Sequence, residues 1–251
     1  MIDQVGEMTQ RLLIDAGIGP GMNVVDVGCG GGEVTLRCAQ LVGPAGRVLG
    51  IDRDARPLPA AHARAEALGL RHVAFAEADI AAPPLHDGPF DAAVGRRVLM
   101  YQPDPVAALR GLAGALRPGA VVVFQEHDSS IGPVSRVPLP LHERVHRWMW
   151  STVEREGANV RLGFSLAAIF EEAGLRVERV RAEAVVQTPE VHHPVGPIFR
   201  AMLPRILERG VATEAELEID TLDQRLIDER RRASATYVGD LVFGIWARTP
   251  S

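Results

Sequence analysis

The stretch Val24 to Glu33, VVDVGCGGGE, decides how the rest of the chain is read. VVDV is a short apolar run with one acid, the mark of a buried strand. GCGGG breaks it, and Glu33 opens a helical pattern that runs to Leu41. Strand, glycine turn and helix in that order put the turn at the carboxyl end of a strand, where open α/β sheets bind ligands. Glycines there let backbone approach a ligand closely and permit positive φ.

The same rhythm continues outward. Ile2, Val5, Leu12 and Leu13 predict an N-terminal amphipathic helix ended by Gly17. Strands are expected at 46–52, 72–79, 90–95 and in RPGAVVVFQE, which ends at Glu126. Between them, Asp54 reads as the cap of a helix ended by Gly69, and Pro105 opens another to about Leu116. This alternation predicts a parallel sheet with helices on both faces. Beyond Glu126 the pattern changes to turns and one helix over 127–160, then a helix at 166–173. A long alternating strand follows at 175–186, helical sequence at 195–232, and a last strand at 237–248, expected to pair antiparallel with its predecessor. The expectation is one α/β domain over 1–251 with a Rossmann-like, seven-stranded, mostly parallel sheet. Its core lies at 18–126, 163–186 and 236–248, with helical lid insertions at 127–162 and 190–235.

The loop chemistry narrows the ligand. Gly28 and Gly30 fit the G-x-G-x-x-G spacing of nicotinamide dinucleotide sites, but Glu33 occupies the third position. A carboxylate at a helix start does not welcome a pyrophosphate, and Asp26 adds further negative charge, so the loop suits a neutral or cationic ligand. Asp52 ends the second strand, where a carboxylate can accept both hydroxyls of a ribose. Asp79 ends the third and can accept from the exocyclic amine of adenine, with Ile80 packed on the ring. Three consecutive strand ends thus describe a ribose, an adenine and a positively charged tail.

In VVDVGCGGG, VLGID, AEADI, PFDAAVGRRVLMYQPDP and LRPGAVVVFQEHD, the chain resembles the class I S-adenosylmethionine-dependent methyltransferases over roughly residues 10–126. The likeness is to the small-molecule branch that includes the ubiquinone- and menaquinone-biosynthesis C-methyltransferases. It implies S-adenosylmethionine as cofactor, Gly28 and Gly30 beside the methionine moiety, and Asp26 supporting its ammonium group. Asp52 would hold the ribose with Arg53 beside the adenine, Asp79 and Ile80 would frame the adenine, and Arg96 would close the pocket. The double Arg96-Arg97 departs from the family, which often has small or polar residues there.

Methyl transfer from a sulfonium is an in-line displacement that needs alignment and exclusion of water. A hydroxyl acceptor would also need a base. The candidates are His127, directly after the fifth strand, His146 on the inserted helix, and Tyr101 after the fourth strand. His142, Glu143 and His146 form HERVH, the zinc-peptidase spacing. Leu141, Val145 and Trp148 beside it make an apolar packing stripe instead, and no clear third ligand accompanies it, so no metal is expected. Trp148, Trp150, Phe164, Phe199, Met149 and Met202 suit an apolar or aromatic small-molecule acceptor, or simply fill core.

Composition sets the outer limits. Hydrophobic residues make up 47% and charged residues 24% of the 251 positions, with a net charge of −5. Acidic balance argues against a nucleic-acid partner, and no N/D-P-P-Y/F run follows the fourth strand. Cys29 and Cys38 read as reduced thiols of a cytoplasmic protein. The opening MIDQVGEMTQRLL does not read as a signal peptide, and no membrane span is expected, since no run of about 18 apolar residues is present. Thr213 to Arg232 reads as a lid helix or a homodimer contact. Competing readings are a nicotinamide-dependent oxidoreductase, a nucleic-acid or protein methyltransferase, and a member of the fold that binds the cofactor without methylating.

Overall fold

The computed structural model describes residues 3–80, 82 and 89–251; Ile2, expected on the first helix, lies outside them. Among the described residues eight strands form one sheet: β1 Asn23–Val27, β2 Arg47–Asp52, β3 Val73–Glu77, β4 Phe90–Arg96, β5 Leu116–Asp128, β6 Val134–Ser135, β7 Arg176–Gln187 and β8 Tyr237–Arg248. Their order is β3-β2-β1-β4-β5-β8-β6, with β7 also pairing β8. The pairs from β3 to β5 are parallel, whereas β6 runs antiparallel to β8. The expected Rossmann-like α/β sheet is present. β6, a two-residue strand, is the one the sequence pattern did not announce.

Nine helices appear among the described residues: α1 Gln4–Asp15, α2 Glu33–Val42, α3 Leu58–Ala67, α4 Pro105–Ala113, α5 Pro140–Arg155, α6 Leu166–Glu172, α7 Gly196–Glu208, α8 Glu214–Leu217 and α9 Ile219–Ala233. Three differ from expectation for local reasons. Asp54 does not cap α3, because a residue before proline disfavours helix and Arg56 precedes Pro57. The helix starts only after Pro57, and Asp54 accepts instead from the Arg56 backbone N–H at 3.0 Å. α4 stops at Ala113, since Leu116 is already paired with Phe90. The helical stretch 195–232 breaks at Gly210, with φ +59°, and restarts at a capping box between Thr213 and Glu216.

The chain divides into two compact units. The larger comprises Glu7–Glu126, Leu162–Ala182 and Phe243–Ser251. Here Leu12 and Leu13 of α1, with Val34 and Cys38 of α2, pack on Val24, Val48, Val94, Val121 and Val123 of the sheet. A fully buried aliphatic side chain stabilises by about 1.5–3 kcal/mol, so this cluster fixes the strand ends that carry the candidate site. The smaller unit comprises the N-terminal residues through Gly6, His127–Arg161 and Glu183–Val242. In it α5, α7 and α9 pack together, with Trp148, Phe199, Met202, Leu222 and Leu226 buried.

Candidate functional site

In the larger unit the Gly-rich loop is held open by backbone geometry. Gly28 and Gly30 adopt φ of +65° and +49°, conformations that favour glycine. A Cβ on Gly28 would lie 2.5 Å from Val98 Cγ2, while one on Gly30 would meet nothing within 4 Å. The loop is therefore pressed against the segment after β4 on one side and free on the other. Cys29 N–H donates to Ile51 O at 2.9 Å, and Gly30 N–H donates to Asp52 Oδ2 at 2.8 Å. Asp52 Oδ1 accepts from the Asp54 backbone N–H at 3.0 Å. An ionised carboxylate offers about four acceptor sites, so Asp52 anchors the loop and keeps acceptor capacity for a ligand.

Asp26 does not face the loop's open side. It is 1% exposed, and Thr35 Oγ donates to it at 2.5 Å. Burial pushes its carboxyl up to about 7, against the Thr35 hydrogen bond and the Arg96 charge. Asp79, after β3, is exposed, and the neighbouring Ile80 is buried; Arg53, after β2, is exposed.

Arg96 does something the sequence did not suggest. Its Nη2 donates to Glu33 Oε2 at 2.6 Å and its Nη1 donates to Thr9 Oγ at 3.3 Å. Burial would raise the Glu33 carboxyl, but Arg96, with Arg37, outweighs that and lowers it. The negative charge that spoke against a pyrophosphate is thus neutralised within the fold, and Glu33's side chain alone remains as the departure from the dinucleotide pattern.

The segment after β4 is fixed from below by a residue that sequence reasoning missed. Glu126, at 0% exposure, accepts from Val98 N–H and Leu99 N–H, both at 2.9 Å. Burial pushes its carboxyl up to about 7, against these backbone donors. Arg97 N–H donates to Gln125 O at 2.9 Å, with Arg97 itself at φ +57°. Left-handed backbone in a non-glycine residue persists where surroundings over-determine it. Tyr101 closes the following turn and is half-buried.

The smaller unit holds the histidines. His146 Nε2 lies 2.7 Å from Asp240 Oδ1, His127 Nδ1 lies 3.9 Å from Asp240 Oδ2, and Trp150 Nε1–H donates to Asp240 Oδ1 at 2.8 Å. Asp240 was not singled out in the sequence, where it reads as one polar position of the last strand. His142 goes elsewhere: its Nδ1 lies 2.6 Å from Glu229 Oε2 and its Nε2 accepts from Arg230 Nη1 at 2.7 Å. Both its ring nitrogens are engaged by protein, so HERVH does not act as one metal-facing pair. Among the described residues no group of three His, Cys, Asp or Glu is arranged around a metal position. Trp148, Trp150, Phe199 and Met202 are buried, whereas Phe164 is 61% exposed. Both cysteine thiols are buried and pushed up by that burial. No helix among the described residues is long and apolar enough to cross a membrane.

A family model described as a methyltransferase domain matches residues 18–174. The arsenite methyltransferase of Aquipseudomonas alcaligenes is 37% identical over 113 residues, 42% of this chain and 33% of that protein. The demethylmenaquinone methyltransferase of Staphylococcus aureus is 28% identical over 189 residues, 69% of this chain and 76% of that protein. The chain spans less than half the length of the first curated relatives it matches. Among solved structures, a SAM-dependent methyltransferase from Aquifex aeolicus aligns with a TM-score of 0.58 at 19% identity, covering 96% of this chain and 88% of that one.

Proposed function

The chain belongs to the methyltransferase domain family, and from that premise we propose that it is an enzyme using S-adenosylmethionine to methylate a small, apolar or aromatic acceptor. One observation carries the reading: Asp52 holds Gly30 N–H with one oxygen, beside a loop whose Gly30 side is open, and retains capacity to accept two hydroxyls. Residues of this unit fit the cofactor's parts. Asp52 takes the ribose, Asp79 and Ile80 with Arg53 take the adenine, and Gly28 and Gly30 take the methionine backbone. Asp26 acts on the ammonium through its field, being buried, and Arg96 fixes the loop edge through Glu33.

When bound, the cofactor supplies a methyl group already activated by its sulfonium. The chain's own work is alignment, exclusion of water and, for a hydroxyl acceptor, removal of a proton. A phenolic or quinol-type acceptor agrees with the menaquinone relative better than arsenite does. Soft arsenic favours thiolate ligands, and burial keeps both thiols here protonated. Of the candidate bases, His127 and His146 lie in the smaller unit and Tyr101 in the larger, and a base is called for only by a hydroxyl acceptor.

Titration calorimetry with S-adenosylmethionine and with NAD tests the reading. Asp52→Ala is expected to weaken S-adenosylmethionine binding about tenfold to a hundredfold, the worth of one or two charge-assisted hydrogen bonds. Failure of S-adenosylmethionine to bind, or binding indifferent to Asp52, overturns it. Formation of S-adenosylhomocysteine across a panel of phenols, quinols and arsenite identifies the acceptor class.

A further inference from the structure

We propose that Arg97 recognises a carboxylate carried by the methyl acceptor, so that the substrate is an apolar or aromatic acid and not a neutral molecule. This rests on the methyltransferase reading and deepens it by giving the acceptor a charge.

Two arginines close β4, and the fold treats them differently. Arg96 is engaged within the protein, donating to Glu33 Oε2 at 2.6 Å and to Thr9 Oγ at 3.3 Å. Arg97 is exposed, and its guanidinium has no hydrogen-bond or ion-pair partner among the described residues. Its surroundings are nevertheless protein and not bulk water. Desolvation lowers the guanidinium below its ordinary value and the Arg96 charge adds to the shift, while Tyr101, Glu33 and Glu126 act against it. A side chain that water can reach and that protein still desolvates stands in a recess. These groups all belong to the larger unit, which also carries the Gly-rich loop.

No acid at hand completes the pair. Glu33 is committed to Arg96, and Glu126 turns Oε1 to the Val98 and Leu99 N–H groups, both at 2.9 Å. Burial pushes the Glu126 carboxyl up to about 7, which removes part of its negative charge at neutral pH. A partly desolvated cation without a counter-ion is unfavourable, and an anionic ligand relieves it.

The backbone points the same way. Arg97 is held at φ +57° by its N–H bond to Gln125 O at 2.9 Å and by the Glu126 grip on Val98 and Leu99. Strain of this kind gathers at ligand clamps, and here it fixes where the guanidinium starts. Val98, the next residue, borders the Gly-rich loop, since a Cβ on Gly28 would lie 2.5 Å from Val98 Cγ2. Arg97 thus stands one residue from the wall of the loop assigned to the methionine moiety.

Charge decides the class of anion. One guanidinium matches one negative charge, and a carboxylate accepts two of its N–H groups side by side. A phosphate monoester carries closer to two charges, which Glu33 and Glu126 would oppose. The carboxylate of S-adenosylmethionine is another source of the same chemistry, and the test separates the two.

Calorimetry on the protein loaded with S-adenosylhomocysteine compares benzoate, 4-hydroxybenzoate and cinnamate with their carboxamides. At least one acid is expected to bind native protein about tenfold or more tighter than its amide, the worth of a charge-assisted hydrogen bond. Arg97→Gly removes the guanidinium and suits the left-handed backbone; it should erase that ratio, whereas Arg97→Lys should keep part of it. Arg97→Asn, also tolerant of this backbone, repeats the test should glycine loosen the segment. S-adenosylmethionine affinity should stay within about threefold in each variant. Native protein without any preference for acid over amide overturns the proposal, as does a preference that survives Arg97→Gly and Arg97→Asn. A larger fall in S-adenosylmethionine affinity assigns the recess to the cofactor's own carboxylate and overturns the acceptor. Phenyl phosphate binding more tightly than every acid overturns the carboxylate. Titrations on unloaded protein keep the two readings apart: acids held through Arg97 by a protein that binds neither S-adenosylmethionine nor S-adenosylhomocysteine overturn the methyltransferase reading and retain Arg97 as a carboxylate site.

Discussion

Arg230 Nη1 donates to His142 Nε2 across 2.7 Å, a buried guanidinium resting on a neutral imidazole. The relationship extends both ways. His142 meets Glu229 at 2.6 Å, Arg230 Nη2 meets His192 Nδ1 at 3.0 Å, and His192 Nε2 meets Asp223 at 3.1 Å. Arg230 Nε–H also donates to Thr188 O at 3.0 Å. The chain of contacts ties α5 and α9 to the segment before α7. It works only while both imidazoles are neutral, since a protonated ring would present N–H to N–H.

Burial lowers the pKa of both His142 and His192 below the ordinary histidine value, with the Arg230 charge adding to the shift. A depressed folded-state pKa means that the unfolded chain binds protons first, so this stability is present above about pH 6.5 and is lost as pH falls through the folded pKa values. Denaturant midpoints should therefore drop between pH 7.5 and pH 5 more steeply for the native protein than for a His142→Asn, His192→Asn double variant. Equal slopes would remove the network from the explanation. Arg230→Ala should cost about 3–5 kcal/mol at pH 7.5, as for other broken buried polar networks.

Glu126 predicts the opposite trend. Its carboxyl is raised from 4.5 to about 7, so between those values the folded state holds the extra proton and stability falls as pH rises. Glu126→Gln keeps an oxygen for Val98 and Leu99 N–H but carries no charge. Relative to the native protein it should gain stability from pH 5 to pH 8, by up to about 3 kcal/mol. A difference constant with pH would mean that Glu126 is not the titrating group.

Gly28 makes a packing prediction. Gly28→Ala brings a Cβ to 2.5 Å from Val98 Cγ2 in a backbone with φ +65°, combining a clash with conformational strain of about 1 kcal/mol or more. S-adenosylmethionine affinity should fall at least about tenfold. Val98→Ala added to Gly28→Ala should recover part of it, because only the clash is relieved. No recovery would assign the whole loss to backbone strain.

The sheet was legible because its information is local. VVDVG, GRVLGID and AVVVF each carry their strand in consecutive apolar residues, and the position of Asp52 beyond a strand near a glycine turn was enough to nominate it. What escaped was defined by partners distant in sequence. Glu126 reads as the polar end of a strand until Val98 and Leu99 are brought to it. Asp240 is one acid within YVGDLVFG, given meaning by histidines about a hundred positions earlier. Arg230 sits in a run of three arginines, where charge alone does not say which is buried. The HERVH spacing put His142 and His146 on neighbouring sides of one helix, but helical spacing selects a direction and not a partner, and Glu229 with Arg230 claimed one ring while Asp240 claimed the other.

The two compact units are interleaved along the chain, the smaller drawn from the beginning, from His127–Arg161 and from Glu183–Val242. No single crossover between related genes can exchange one unit and spare the other. A chimera that transplants only the first of the two long segments would leave His146 without its Asp240, and one that transplants only the second would bring a foreign Arg230 to His142. Directed-evolution libraries built on one-point recombination should therefore return mostly progeny in which these contacts are mismatched.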